Sequence, residues 1–76
     1  MVEVYFSEHC IWCRRMKHYL DKKGVQFRTI NAHDPFNSRR VVNMTGQCSL
    51  PVTVIGKTTV IGFDKNAVDT ALQNMQ

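Results

Sequence analysis

VEVYFSEHCIWCRRMKHYL, residues 2–20, is the stretch on which the fold turns. Val2, Val4 and Phe6 alternate with Glu3 and Tyr5, the period-two pattern of a strand. Trp12, Met16, Tyr19 and Leu20 then recur at helical spacing with charged residues between them. Cys10 and Cys13 fall at the junction, so one cysteine sits at or just before a helix start and the other one turn inside it. Lys22, Lys23 and Gly24 suit a helix C-terminus, where cations complement the helix dipole and glycine takes positive φ without a Cβ penalty.

Outward from this stretch the elements follow in order. VQFRTIN, 25–31, reads as a second strand. Asp34-Pro35 marks a helix start, with Asp34 as N-cap and Pro35 at the first helical position, and the helix is expected to stop at Gly46 after about Thr45. VTVIG (52–56) and TTVIG (58–62) are β-branched runs that form a hairpin about Gly56-Lys57. Asp64 caps a last helix whose apolar stripe is Val68, Ala71, Leu72 and Met75. The order is β-α-β-α-β-β-α. A strand, helix and strand within about 30 residues make a parallel pair with a right-handed crossover, and the hairpin adds antiparallel strands. The expected fold is α/β: a four-stranded mixed sheet with three helices, in one domain over residues 1–76.

Composition narrows the function. Hydrophobic residues make up 43% and charged residues 21%, a globular balance with no apolar run near the ~20 residues of a membrane span. The chain opens directly on strand-like alternation with no secretory signal pattern, so the expected location is the cytoplasm. A net charge of +4 arises partly from the doublets Arg14-Arg15, Lys22-Lys23 and Arg39-Arg40. These read as solvated helix faces with a preference for acidic partners or carboxylate ligands, not as a nucleic-acid or membrane site. Three cysteines, one close pair and one distant, do not make the even disulfide framework of a small secreted fold.

A Cys-x-x-Cys between a first strand and a first helix is the arrangement of a redox βαβ unit. Free backbone N–H groups and the dipole at a helix start favour a thiolate at Cys10, and Arg14 and Arg15 add positive charge. Lowering a thiol pKa from ~8.5 to ~6 raises the thiolate fraction at pH 7 about 30-fold and lowers its nucleophilicity about 13-fold. The larger benefit therefore falls on Cys10 as leaving group. Cys10 is assigned as nucleophile and leaving group, and Cys13 as resolving thiol. A closed zinc site needs four ligands, and Cys10 and Cys13 have only scattered companions in Cys48, His9, His18 and His33, so no metal site is assigned.

At these residues the chain resembles the glutaredoxin family of the thioredoxin fold, over essentially its whole length. VEVYFSEHCIWCRRMKHYL is similar to the first strand and active-site helix. TGQCSLPVTVIG (45–56) is similar to the loop with the family's cis-proline, which puts Pro51 there. VIGFDKNAVDTAL (60–72) is similar to the glycine turn and the start of the last helix. The resemblance implies dithiol–disulfide exchange, often with glutathione as co-substrate and with no tightly bound cofactor. It implies that Leu50 pairs its backbone with bound peptide or glutathione, beside Ser49. Phe63 and Asp64 would receive the γ-glutamyl end, Arg39 (or Arg40) the glycine carboxylate, and Trp12 would stand on the exposed rim. Ser7 stands where relatives usually carry Lys or Arg, and Lys65 follows Asp64 where a second acid is common, which lowers the expected grip on glutathione. Gly62-Phe63 also resembles the small redoxins that serve ribonucleotide reductase and draw electrons from thioredoxin reductase. The implied donors are therefore glutathione or thioredoxin reductase, and the acceptors are disulfide-containing proteins, ribonucleotide reductase among them. A monomer is expected. A module carrying an iron–sulfur cluster or another metal through Cys10 is the alternative of a different class.

His9, next to the nucleophile, is a candidate modulator if protonated. Cys48, three residues before Pro51, reads either as a small buried hydrophobe or as a third thiol open to glutathionylation or a regulatory disulfide. His18 and His33 read as surface residues, and Met16, Met44 and Met75 as core fillers.

Overall fold

β1 carries the molecule, because both of its faces are covered. The computed structural model describes residues 2–47 and 49–75. Among them run β1 (Val2–Phe6), α1 (Ile11–Lys22), β2 (Arg28–Asn31), α2 (Pro35–Thr45), β3 (Val52–Ile55), β4 (Thr58–Ile61) and α3 (Lys65–Asn74). The sheet order is β2-β1-β3-β4, with β1 parallel to β2 and antiparallel to β3, and β3 antiparallel to β4. The expected thioredoxin-like mixed sheet with three helices is what the chain forms. No described helix is long and apolar enough to cross a membrane.

Val2 and Val4 face one side, where Met16 and Leu20 of α1 and Val68 and Ala71 of α3 close over Ile55 and Val60. Tyr5 faces the other, with Ala32, Val52 and Val41 of α2. Alternation alone would leave Tyr5 toward solvent. It is instead fully buried, because α2 covers that second face. The Tyr5 hydroxyl and Thr53 Oγ1 are buried with no hydrogen-bond partner among the described residues.

Each helix is bounded by identifiable chemistry. Asp34 Oδ1 accepts the Phe36 N–H at 2.8 Å to open α2, and Pro35 follows at the position that needs no donor. Gly46, at φ 77°, closes α2 by donating to Val42 C=O at 2.7 Å in a left-handed conformation that suits glycine. Asp64 Oδ1 accepts from Ala67 N–H at 3.1 Å to open α3.

Three expectations are corrected. The second strand begins at Arg28, not Val25, because the Val25 N–H is spent on Leu20 C=O at 3.1 Å, finishing α1. Met44 is 39% exposed, on a helix whose only buried side chain is Val41, and Met75 is 46% exposed at the C-cap of α3. Of the three methionines read as core, only Met16 is buried. The inward stripe of α1 is Cys13, Met16 and Leu20, with Tyr19 partly buried beside it and Trp12 outside.

These placements predict unequal costs for truncation. Leu20→Ala should lose about 2–5 kcal/mol of stability, as fully buried leucines do, and Met44→Ala no more than about 0.5 kcal/mol. Urea denaturation of the two variants checks this, and comparable losses would contradict the assigned core.

Candidate active site

Cys10 ends the loop from β1 in an extended conformation, φ −99° and ψ 108°. Its N–H donates to Ser7 C=O at 3.2 Å, and its C=O accepts the Arg14 N–H at 3.3 Å as α1 begins. Its Sγ accepts the Cys13 N–H at 3.2 Å, so a sulfur atom serves as the helix cap. Cys10 is half-buried, Cys13 is completely buried, and both are free thiols.

Burial raises the Cys13 thiol most, and the hydrogen bond it makes to Cys10 adds to this, so that its pKa is pushed from the ordinary 9.0 up to about 12. Charge on Cys10 acts in the same direction, while the Ser7 backbone and the Lys17 ammonium oppose it. At pH 7 Cys13 is therefore protonated. The two thiols differ in access, although only two residues separate them.

A second group of residues is assembled by one backbone hydrogen bond. The Leu50–Pro51 peptide is cis, and Pro51 C=O accepts the Gly62 N–H at 2.8 Å, tying the entrance of β3 to the exit of β4. Gly62, at φ 78°, turns the chain so that Phe63 lies against Trp12, with ring centroids 5.8 Å apart. Trp12, Leu50, Gly62 and Phe63 line an open groove of about 230 Å³. Trp12 is 48% exposed, which places it on the rim and not in the core.

The other predicted site residues fall outside this groove. Ser49 is exposed, Asp64 is occupied as the cap of α3, and Arg39 and Arg40 lie exposed on α2 and do not line the groove. His9 is exposed and shares a small recess of about 140 Å³ with Ser7, Glu8, Asn31 and His33. His18 and His33 are exposed. Cys48 lies outside the described residues. Among the described residues, no cluster of three or more His, Cys, Asp or Glu side chains is arranged to hold a metal ion.

Sequence reasoning missed the bracket behind Phe63. Tyr19 Oη donates to Asp69 Oδ1 at 2.7 Å, and Lys23 Nζ reaches the same oxygen at 2.9 Å. The hydrogen bond raises the Tyr19 phenol and holds the Asp69 carboxyl below the usual carboxylate range, and Asp69 in turn raises Lys23. Tyr19 meets Phe63 edge-on at 6.1 Å, so a helix–helix contact supports the groove from behind. No local pattern announces such a pair, because its partners are 50 positions apart.

The family model described as Glutaredoxin matches residues 2–60. The chain belongs to the glutaredoxin family, and at the level of class it is a thiol–disulfide redoxin. An uncharacterised glutaredoxin-like 8.6 kDa protein in the rubredoxin operon of Clostridium pasteurianum is 28% identical over 74 residues, covering 96% of this chain and 99% of that protein. Among solved structures, the glutaredoxin-like NrdH-redoxin of Escherichia coli, described as having a thioredoxin-like activity profile, superposes with a TM-score of 0.79. It is 22% identical over 91% of both chains. A buckwheat glutaredoxin solved in complex with glutathione superposes with a TM-score of 0.78 at 25% identity, covering 97% of this chain and 74% of that one.

The Cys13 shift has a stability consequence with a definite sign. In the unfolded chain Cys13 ionises near its ordinary 9.0, while in the fold it stays protonated to about 12. The unfolded chain binds fewer protons in that window, so stability falls as pH rises through it. The urea midpoint of the reduced protein should drop more steeply between about pH 8 and about pH 11 than that of Cys13→Ser, which lacks this group. Parallel slopes would contradict the assignment.

Proposed function

We propose that the protein reduces disulfides of other proteins by dithiol exchange, with Cys10 as nucleophile and leaving group and Cys13 as resolving thiol. The observation that carries this reading is the asymmetry of the pair: a half-exposed Cys10 sulfur capping α1, and a fully buried Cys13 held protonated in contact with it.

Electrons balance in two exchanges. The Cys10 thiolate attacks one sulfur of R–S–S–R′. The Cys10–S–R bond forms, the substrate S–S bond breaks, and R′–S⁻ leaves with the electron pair and takes a proton from solvent. Cys13 then gives up its proton and attacks the Cys10 sulfur, so the Cys10–Cys13 disulfide forms and R–S⁻ leaves. In total, two electrons and two protons pass to the substrate. Once the Cys10 sulfur is bonded to substrate it carries no charge and accepts hydrogen bonds poorly. Two of the influences that keep Cys13 protonated are then withdrawn, while Lys17 still favours its thiolate. Part of what holds the resolving thiol protonated is thus lifted at the step that needs it, while its burial persists.

The Trp12–Phe63 groove receives the segment carrying the substrate disulfide, with the Leu50 backbone as its pairing edge, Pro51 shaping that edge and Ser49 flanking it. The groove is apolar and Ser7 supplies no cation, which favours protein substrates and a flavoprotein dithiol donor of the thioredoxin reductase kind. The thioredoxin-like activity profile of the E. coli NrdH-redoxin supports this. By the sequence resemblance, ribonucleotide reductase belongs among the acceptors, and the cytoplasm is the compartment. The second reading, glutathione as donor or as mixed-disulfide substrate held by Arg39, Phe63 and Asp64, is supported by the buckwheat complex.

Cys10→Ser should lose all disulfide reductase activity. Cys13→Ser should still perform the first exchange and accumulate a mixed disulfide on Cys10, seen as an adduct by mass spectrometry. Activity retained by Cys10→Ser would sink the proposal. Offering the oxidised protein either NADPH with thioredoxin reductase or reduced glutathione separates the donors, with the faster reduction expected from the reductase.

A further inference from the structure

We infer that the groove between α1 and the start of α3 is a docking surface for an extended acidic segment of the partner protein. The inference rests on the proposed reduction of protein disulfides and names the chemistry of the partner. The groove encloses about 540 Å³. Arg14, Arg15, His18 and Lys22 of α1 and Lys65 of α3 surround an apolar floor of Ile11, Tyr19 and Phe63.

No carboxylate lines it, and the acids on these elements are committed elsewhere. Asp69 is held by Tyr19 and Lys23, Asp64 caps α3, and Asp21 lines a separate cavity with Val25 and Gln26. Two of the cations also lie against aromatic rings. The Arg15 guanidinium lies 4.8 Å from the Trp12 ring centroid, and Lys65 Nζ stands 5.5 Å from both the Tyr19 and Phe63 centroids. Cation–π contacts of this kind fix long side chains that would otherwise lose rotamer freedom on binding.

Spacing selects the shape of the occupant. Arg14, His18 and Lys22 recur every fourth residue, so they form a row with about 6 Å of helix rise between successive positions. Side chains on one face of an extended chain are about 6.6 Å apart. A strand-like segment with acids at alternate positions therefore matches the row. Phe63 belongs to both this groove and the one that holds Trp12 and Leu50. A segment lying along α1 thus continues into the groove beside Trp12 and Leu50, and its charges would steer the encounter as well as hold it.

The test uses the full chain and two disulfide peptides that differ only in a flank, Glu-Ser-Glu-Ser-Glu or Gln-Ser-Gln-Ser-Gln. At about 20 mM salt the acidic peptide should be reduced with a kcat/KM about tenfold higher, and the ratio should fall toward one at about 500 mM salt. The ratio should collapse in Arg14→Glu/Lys22→Glu, and also in the milder Arg14→Gln/Lys22→Gln. It should survive in Lys57→Glu on the β3–β4 turn, whose two-unit charge change equals that of the glutamine pair. Binding of a cysteine-free, fluorescein-labelled acidic peptide, read by anisotropy, should follow the same order. Equal kcat/KM for the two peptides, or equal loss of the ratio in Lys57→Glu, would overturn the inference, as would tighter binding of a short RNA than of the acidic peptide. Failure to reduce either peptide would instead remove the disulfide-reductase reading, and the anisotropy series would still decide the groove.

Discussion

The helix that presents the chemistry is capped by sulfur. α2 and α3 open on aspartate caps, Asp34 and Asp64, which accept from backbone N–H groups in the usual way. α1 opens on Cys10, whose Sγ takes the N–H of Cys13. One contact thus performs two tasks: it satisfies a donor at the helix start, and it fixes the position of a partly exposed cysteine. Much of the fold serves to hold that start in place. Val2 and Val4 anchor β1 against Met16 and Leu20, so the loop from Phe6 delivers Cys10 to a helix that is already seated. The same seating buries Cys13, and burial more than any other influence sets its acidity.

The second half of the site is built by a different device. Pro51 and Gly62 flank the β3–β4 hairpin, and the backbone bond between them extends its ladder, so that Leu50 and Phe63 reach the same groove as Trp12. Tyr19, Asp69 and Lys23 then brace Phe63 from behind. The apolar groove and the basic one meet at Phe63, so the two grooves form one continuous surface. Arg39 and Asp64, the positions that the family resemblance links to glutathione, lie outside that meeting point.

Local chemistry made much of this legible in the sequence. The caps at Asp34 and Asp64, the stop at Gly46, the hairpin about Gly56 and the placement of Cys10 before Cys13 all rest on neighbours a few residues apart, and the structure agrees with each. What the sequence left obscure depends on contacts between distant elements. Tyr5 looks half-exposed until α2 is known to cover it. Val25 looks like strand until its N–H is seen closing α1. Met44 and Met75 carry core-like side chains, and only tertiary packing reveals that their positions lie at the periphery. The Tyr19–Asp69 pair and the convergence of Arg14, Lys22 and Lys65 have no signature along the chain, because each joins α1 to α3.

The pairing of a reachable sulfur with a shielded one also bears on survival under peroxide. An oxidant would meet the more accessible Cys10 first and convert it to a sulfenic acid, the rung from which cysteines climb irreversibly to sulfinic and sulfonic acids. Here the Cys13 thiol is already in contact with that sulfur. It displaces the hydroxyl, the Cys10–Cys13 bond forms, and water departs. The product is the disulfide of the proposed cycle, so a donor that serves that cycle would also reverse the injury. Burial of Cys13 therefore guards its neighbour by keeping a reduced thiol in reserve.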